Sequence, residues 1–276
     1  MMEAVSTVRP QFGLTAEAAL DASARLWFVA AALGQWIFVI YVAAFYGPRL
    51  LAGGPDALQD YTNLANGHVP GDTAGNAALA GHVLLAVIIM GGGPLQLIPQ
   101  IRTHFPAFHR WLGRTYMLTA VASSIAGLYL LWTRPLFGSL VNNIGTSLDG
   151  VLIIVFAAIA LRYAIARDIR THRRWALRLF MVVSAVWFIR VGMNMWVSVT
   201  GGLGVDRDSF SGPAVVAWHF AQYLLPLAVL ELYFRVRDSA SVQGRYAMAI
   251  GLLALTILMG IGIFGNSMKW LGRLAS

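Results

Sequence analysis

The sequence IRTHFPAFHRWLGR, residues 101–114, is a polar, arginine-rich stretch between two long apolar runs. A shortened copy of it, IRTHRRWALR, follows at residues 169–178, again between apolar runs. We interpret both stretches as loops at one membrane surface, because arginine and tryptophan concentrate beside the cytoplasmic face of a bilayer. The apolar spans of the chain can be assigned by their order before, between and after these two segments.

The composition indicates a protein that crosses a membrane several times. Hydrophobic residues make up 58% of the 276 residues and charged residues 12%, about half the charged share of a soluble domain. The chain contains no cysteine, so disulfides, thiolate metal sites and thiol nucleophiles are excluded. The net charge of +8 comes almost wholly from arginines in short loops, which favours anionic lipid head groups over nucleic acid as partners.

Seven apolar runs are each long enough for the roughly 20 helical residues that cross about 30 Å of hydrocarbon. They predict an all-α, multi-pass protein with a cytoplasmic or interfacial lead at residues 1–26 and one transmembrane domain over residues 27–276. The predicted spans are 27–46, 78–99, 112–133, 147–166, 176–199, 213–234 and 246–265. Most arginines fall on one side of these spans, which predicts an inner-membrane protein with its N-terminus inside and its C-terminus outside.

The first predicted outer loop, residues 47–77, is too long for a simple connector. It could fold over the outer mouth as a lid, with residues 56–66 helical, or form a disordered surface loop. The sequence leaves these two alternatives open.

The two polar stretches also suggest an internal repeat. The four-residue segments 101–104 and 169–172 are identical. Each is followed by an arginine–tryptophan pair and then by a further arginine, Arg114 or Arg178. Both hairpins would run in the same direction, which predicts a parallel duplication and a four-helix core. The alternative is that two inner loops acquired arginine and tryptophan independently because of their position at the membrane surface.

Four motifs occur in order: a His that opens one helix, a Gly-Pro-x-Gln turn, a His-Arg-Trp-x-Gly-Arg-x-Tyr segment and a later His-Arg-Arg-Trp. In this chain they are His82; Gly93, Pro94 and Gln96; His109, Arg110, Trp111, Gly113, Arg114 and Tyr116; and His172, Arg173, Arg174 and Trp175. This set resembles the bacterial predicted-membrane-protein family filed as domain of unknown function 2306. The resemblance covers residues 78–234 and extends to Arg190 and Glu231, but His219 matches no family position. The family has no established activity, so the resemblance implies architecture rather than chemistry.

Two histidines predicted to lie inside the membrane are candidate haem ligands. His82 and His219 fall one and two turns into their helices from the outer side, at similar depths. Two neutral imidazoles at matched depth are what a b-type haem requires for axial ligation of its iron. The alternative is that both rings are interfacial and donate hydrogen bonds to backbone carbonyls.

A second pair, His109 and His172, is predicted at the inner starts of two helices. Haem at both pairs would allow electron transfer across the membrane. The flanking arginines favour instead a phosphate, a lipid head group or a quinone carbonyl as the inner ligand. The residues of this possible inner site are His109, Arg110, Arg114, His172, Arg173, Arg174 and Arg178.

Arg190 lies within a predicted span, one turn from Asn194 on the same helix face. A buried arginine is costly without a partner, so Arg190 would pair with backbone carbonyls or with Asp149, or would bind a propionate or another anionic group. Glu231 is predicted to pair with Arg178 or Arg235.

The function predicted first is that of a redox protein which binds haem b through His82 and His219, with a quinone or another redox partner. The alternative is a permease or a lipid- or anion-binding scaffold that uses Arg190 and the basic inner loops. The chain has no Walker loop, dinucleotide-binding motif, nucleophile elbow or HExxH, so ATP-driven transport and hydrolysis are disfavoured. Whether the protein is an enzyme stays open.

Overall fold

The computed structural model describes residues 15–53, 68–134, 139–206, 208–209, 211–239 and 241–275. In these residues the fold is all-α, and the only β pairing is an isolated bridge between Asp206 and Ser211. The segment for which a helical lid was predicted, residues 56–66, lies outside the described residues.

Nine α-helices follow one another through the described chain. They are α1 (Ala16–Gly53), α2 (Thr73–Leu97), α3 (Pro99–His104), α4 (Pro106–Thr133), α5 (Leu140–Ile165), α6 (Ile169–Val183), α7 (Ala185–Thr200), α8 (Pro213–Asp238) and α9 (Val242–Ala275). Six of them are long and apolar enough to span a membrane, and the bent pair α6–α7 would make a seventh span. The predicted multi-pass architecture is therefore confirmed.

The interpretation of the two repeated stretches as loops was wrong. Residues 101–104 close the short helix α3, residues 106–114 open α4, and residues 169–178 open α6. Pro99 and Pro106 both occupy the first turn of a helix, where the missing N–H has no intrahelical partner to lose. Arginine is a good helix former, so a polar segment at a membrane surface continues a helix as readily as it ends one.

The predicted fifth span is broken. α6 and α7 meet at Ser184 with a bend of 54°, and the Ser184 hydroxyl accepts a hydrogen bond from Gln35 Nε2 of α1 at 3.0 Å. Hydropathy is continuous through this point, so the sequence did not indicate the bend.

The first helix begins earlier than predicted. Residues 16–26, assigned to the lead, form the first turns of α1. Leu20 is buried against Met248 and Leu252 of α9, and this packing explains why the helix extends beyond the apolar run.

The helices pack in a ring. α2 lies against α4, α4 against α5 and α5 against α6, while α8 contacts α5, α6 and α7. The first and last helices, α1 and α9, form the most extensive pair and close the ring through α2 and α7. We call the end where α1 and α9 begin and α8 ends the basic end, and the other end the opposite end.

Small residues allow α7 and α9 to approach closely. A Cβ atom at Gly262 of α9 would collide with the backbone carbonyl oxygen of Val191 in α7, whereas one at Gly260 would meet nothing within 4 Å. Gly262 thus determines the distance between the two helices.

The two predicted hairpins share one local feature. The Arg114 guanidinium lies 5.1 Å from the ring centroid of Trp111, and Arg178 lies 4.7 Å from that of Trp175. The same arginine–tryptophan stack thus occurs at the same place in both copies, as a duplication would produce. Duplication itself stays a prediction.

An ion pair fastens α2 to α4 at the opposite end. Asp72 Oδ1 accepts a hydrogen bond from the Gly75 N–H at 2.8 Å, and Oδ2 accepts one from Arg134 Nη2 at 2.7 Å. The Arg134 side chain is only 3% exposed. The Gly75 hydrogen bond and then Arg134 lower the pKa of the Asp72 carboxyl.

Asp72→Asn is expected to make the thermal midpoint depend less on pH in the acidic range. Because the folded pKa lies below the unfolded value of about 3.9, the charged Asp72 stabilises the fold above that pH, and this contribution is lost as the pH falls through the folded pKa. The thermal midpoint in detergent, measured from neutral pH to about pH 3, should therefore fall more steeply in the wild type than in the variant. The exposed carboxylate of Asp208 provides the control, Asp208→Asn. Parallel wild-type and Asp72→Asn profiles would contradict this role.

Candidate functional site

A largely apolar cavity of about 390 Å³ lies between α1, α6, α7, α8 and α9, with Leu97 at the end of α2 also in its lining. Its walls include Trp27, Leu177, Met195, Trp218, Tyr233 and Met259. Trp218 and Tyr233 are separated by about 22 Å along α8, at ~1.5 Å per residue. One leaflet of hydrocarbon is about 15 Å thick, half of the ~30 Å core. The cavity is therefore longer than one leaflet of hydrocarbon is thick.

A basic cleft adjoins the cavity at the basic end. It shares Leu177 and Tyr233 with the cavity, so the apolar volume and the charged surface are continuous. The remaining lining residues come from the start of α6 and the end of α8: Ile169, Arg170, Arg173, Arg174, Phe234, Arg237 and Asp238. We call these nine residues the arginine cleft.

Arginines outnumber carboxylates in the arginine cleft. Arg174 pairs with Asp238, and Arg237 donates a hydrogen bond to Asp21 of α1 at 2.6 Å. Arg173 is exposed and has no hydrogen-bond or ion-pair partner in the part of the chain that the structure describes. The cleft consequently keeps an unneutralised positive charge at the mouth of an apolar cavity.

The two copies of the repeated segment meet beside this cleft. Burial, and then the neighbouring Arg173, lower the pKa of Arg102 in α3. The imidazoles of His109 and His172 also lie close enough to interact electrostatically. His172 Nδ1 is 2.9 Å from the backbone oxygen of Ala160, whereas the buried Nδ1 of His109 has no partner among the described residues. The two inner histidines therefore lie near each other, each in the first turns of its helix, α4 for His109 and α6 for His172.

The remaining residues of the predicted inner site separate into two groups. Arg173 and Arg174 line the arginine cleft, whereas Arg110 and Arg114 belong to α4 and are not among its lining residues. Arg178 binds Glu231 through two hydrogen bonds, Nε to Oε1 at 2.6 Å and Nη2 to Oε2 at 3.0 Å. Of the two predicted partners of Glu231, Arg178 and Arg235, the structure thus shows Arg178, and this pair fixes α6 to α8 beside the cleft.

His82 and His219 each bond a helix backbone. His82 Nδ1 lies 3.0 Å from the backbone oxygen of Ser123 in α4, and His219 Nδ1 lies 2.8 Å from that of Val215 in its own helix. A carbonyl only accepts, so each Nδ1 carries the proton and each Nε2 is left as the potential metal ligand.

A haem held by both rings also needs a slot between their helices. Neither histidine lines the apolar cavity. The helices between α2, which carries His82, and α8, which carries His219, are packed closely. α4 contacts α5 through a hydrogen bond from Ser124 Oγ to the Gly150 backbone oxygen at 3.0 Å. A Cβ atom at Gly145 of α5 would lie 3.3 Å from the backbone oxygen of His219. These contacts fit a shared porphyrin poorly, and haem ligation by the pair stays a prediction.

Arg190 does not pair with Asp149. Its Nη1 donates a hydrogen bond to the backbone oxygen of Val186 at 2.7 Å. Of the two predicted structural partners, a backbone carbonyl or Asp149, the structure therefore shows the carbonyl. Asn194, predicted to share its site, accepts a hydrogen bond from Lys269 Nζ of α9 at 2.9 Å.

Sequence reasoning missed the apolar cavity and two residues of the cleft region. Asp21 was assigned to the lead, and Asp238 was given no role, yet both hold cleft arginines. The sequence positions of these two carboxylates do not predict which arginines they contact, because the contacts form only where α1, α6 and α8 come together.

The comparisons with known proteins concern the family alone. The model of the family described as "Predicted membrane protein (DUF2306)" matches residues 79–234, more than half of the chain. Searches of curated proteins and of solved structures found no match. The matched region contains both repeated segments, Arg190 and seven of the nine residues of the arginine cleft. The other two, Arg237 and Asp238, follow shortly after it. The chain belongs to the predicted membrane protein family DUF2306.

Proposed function

We propose that this protein binds an anionic lipid and encloses one of its long tails, and that it is a lipid-handling membrane protein rather than a redox carrier. The phosphate head group would lie in the arginine cleft and the tail in the apolar cavity. The observation that carries the proposal is the continuity of the two volumes through Leu177 and Tyr233.

The chemistry of each end supports this assignment. Arginine side chains bind phosphate oxygens through several charge-assisted hydrogen bonds, and Arg173 has donors to offer. The cavity is almost wholly apolar, with Gln222 as its main polar residue, so it excludes a charged group but accepts hydrocarbon. Its length of about 22 Å at ~1.5 Å per residue suits a tail longer than one leaflet.

The orientation predicted from the arginines places the arginine cleft at the cytoplasmic surface of a bacterial inner membrane. An anionic lipid of the inner leaflet would then enter with its head group already at the correct level. Two sources share this chemistry, a phospholipid and a polyprenyl phosphate.

Ala221→Trp is expected to remove the bound tail. Ala221 lines the cavity, and an indole there would occupy space that the tail needs. Protein purified in mild detergent should retain an anionic lipid by native mass spectrometry, and Ala221→Trp should lose it. Ala158→Trp, which adds the same bulk on an exposed face of α5, is the matched control. Equal retention by the two variants would contradict the proposal.

The head group is tested separately with Arg170→Gln/Arg173→Gln. Losing two charge-assisted contacts, each worth roughly 1.5–3 kcal/mol, should weaken lipid retention at least about tenfold. Arg162→Gln, an exposed arginine at the basic end but outside the cleft, should have no such effect. The mass of the retained lipid distinguishes a phospholipid from a polyprenyl phosphate. Displacement by inorganic phosphate alone would indicate a site for free phosphate.

Haem binding stays a separate prediction: both Nδ1 atoms bond carbonyls and leave Nε2 available, although the packing between the two histidines fits a shared porphyrin poorly. Haem would supply one-electron chemistry, and His82 and His219 would hold its iron. An oxidised-minus-reduced spectrum of purified protein tests this prediction. Haem bands that vanish in both His82→Ala and His219→Ala would support it, whereas a flat spectrum after haem-supplemented expression would exclude it.

A further inference from the structure

We propose that Arg190 forms a second binding site, towards the opposite end of the bundle, for a small carboxylate or phosphate anion. Arg190 lies 10 residues before the end of α7 at Thr200, so it is about 15 Å from that helix end at ~1.5 Å per residue. This site shares no residue with the arginine cleft, and its existence does not depend on lipid binding there.

The Arg190 guanidinium has donors left over. An arginine carries five N–H donors, and the hydrogen bond from Nη1 to the Val186 oxygen uses one. Its Cζ lies 5.4 Å from the ring centroid of Phe38. In the described residues no carboxylate forms an ion pair with Arg190. A cation inside a membrane bundle without an acidic partner is costly, and a bound anion would offset that cost.

The guanidinium is enclosed by neighbours and yet accessible. It interacts electrostatically with Tyr41 and Tyr46 of α1 and with His82 of α2, and Asn266 of α9 bonds its backbone oxygen at 3.0 Å. The Arg190 side chain nevertheless keeps an accessible surface, which a small anion could contact.

Other positive and aromatic side chains determine which ligand fits. Lys269 binds Asn194, one turn from Arg190, and Arg273 lies 3.4 Å from the Tyr41 hydroxyl. These cations make the local potential positive, which attracts anions. Tyr41 also stacks on Trp270, with centroids 5.2 Å apart and an interplanar angle of 11°. Aromatic walls beside a planar cation favour a carboxylate attached to an apolar or aromatic body.

Benzoate, acetate and inorganic phosphate serve as probes at constant ionic strength. We expect the thermal midpoint of the detergent-purified wild type to rise saturably with benzoate, and less with acetate. Arg190→Gln should weaken the apparent affinity at least about tenfold, the loss expected for a charge-assisted pair. The affinity of Arg190→Lys should lie between those of the wild type and Arg190→Gln, because lysine keeps the positive charge but lacks the planar guanidinium with its several N–H donors. Arg162→Gln is the charge-matched control and should bind like the wild type.

A second measurement uses only wild-type protein, so poor folding of Arg190→Gln cannot obscure the result. Phenylglyoxal should modify Arg190, detected by mass spectrometry, and benzoate should protect that residue but not Arg162. A response to phosphate in place of benzoate would assign the anion as a phosphate. Absence of modification, modification without protection by any probe, or stabilisation unchanged in Arg190→Gln would overturn the proposal.

Discussion

Trp187→Ala is expected to destabilise the protein by roughly 3–5 kcal/mol, the usual cost of removing a large buried aromatic side chain. Trp187 is fully buried and lies just after the bend between α6 and α7. A Cβ atom at Gly34 of α1 would be 2.6 Å from its ring, and Phe188 lies 5.1 Å away between centroids. The indole N–H has no hydrogen-bond partner among the described residues. The loss is therefore one of packing alone.

The measurement is reversible unfolding of purified protein in mixed micelles. Trp132→Ala is the control, because Trp132 is 57% exposed and makes one hydrogen bond, to Ser147. Surface substitutions of this kind usually change stability by less than about 0.5 kcal/mol. If the two variants unfold at the same denaturant concentration, Trp187 does not form part of the packed core between α1 and α7.

Gly262→Ala is expected to cost about 1–3 kcal/mol or more, the range for overpacking a close-packed interior. The added methyl group would collide with the backbone carbonyl of Val191, and a backbone atom cannot rotate away as a side chain can. α7 and α9 would have to separate, which would also move Asn266 from the Arg190 carbonyl.

Gly260→Ala is the matched control for this second prediction. It makes the same change one half-turn away on α9, where a Cβ atom meets nothing within 4 Å, and alanine is the better helix former by about 1 kcal/mol. The control should therefore be neutral or slightly stabilising in the same unfolding experiment. Equal midpoints for the two variants would argue against close α7–α9 packing.

Hydropathy located the six long apolar helices and the apolar stretch of the bent pair α6–α7, because the free energy of burying a helix in hydrocarbon is nearly a sum over its own residues. The same local reasoning identified the family and limited the partner of Glu231 to Arg178 or Arg235, and the structure shows that the partner is Arg178. Local reasoning also grouped His109 with His172, which lie together at the basic end.

Local reasoning misjudged helix boundaries. The segment around Arg110 and Trp111 was interpreted as a loop because it is polar, but polarity determines whether a segment prefers lipid or water, not whether its backbone is helical. The bend at Ser184 was missed for the opposite reason, because its surroundings are uniformly apolar and its partner, Gln35, is 149 residues away.

The sequence by itself determined the membrane architecture, the basic end and the family, because each depends on the composition of contiguous segments. Only the tertiary structure decided which charged groups meet and where space remains. Arg190 bonds a carbonyl instead of Asp149, and Asp21 and Asp238 pair with arginines of the cleft. A long cavity opens at Leu177 and Tyr233. These outcomes depend on how helices distant in sequence approach one another. Close packing of whole side chains sets that approach, and no single segment encodes it.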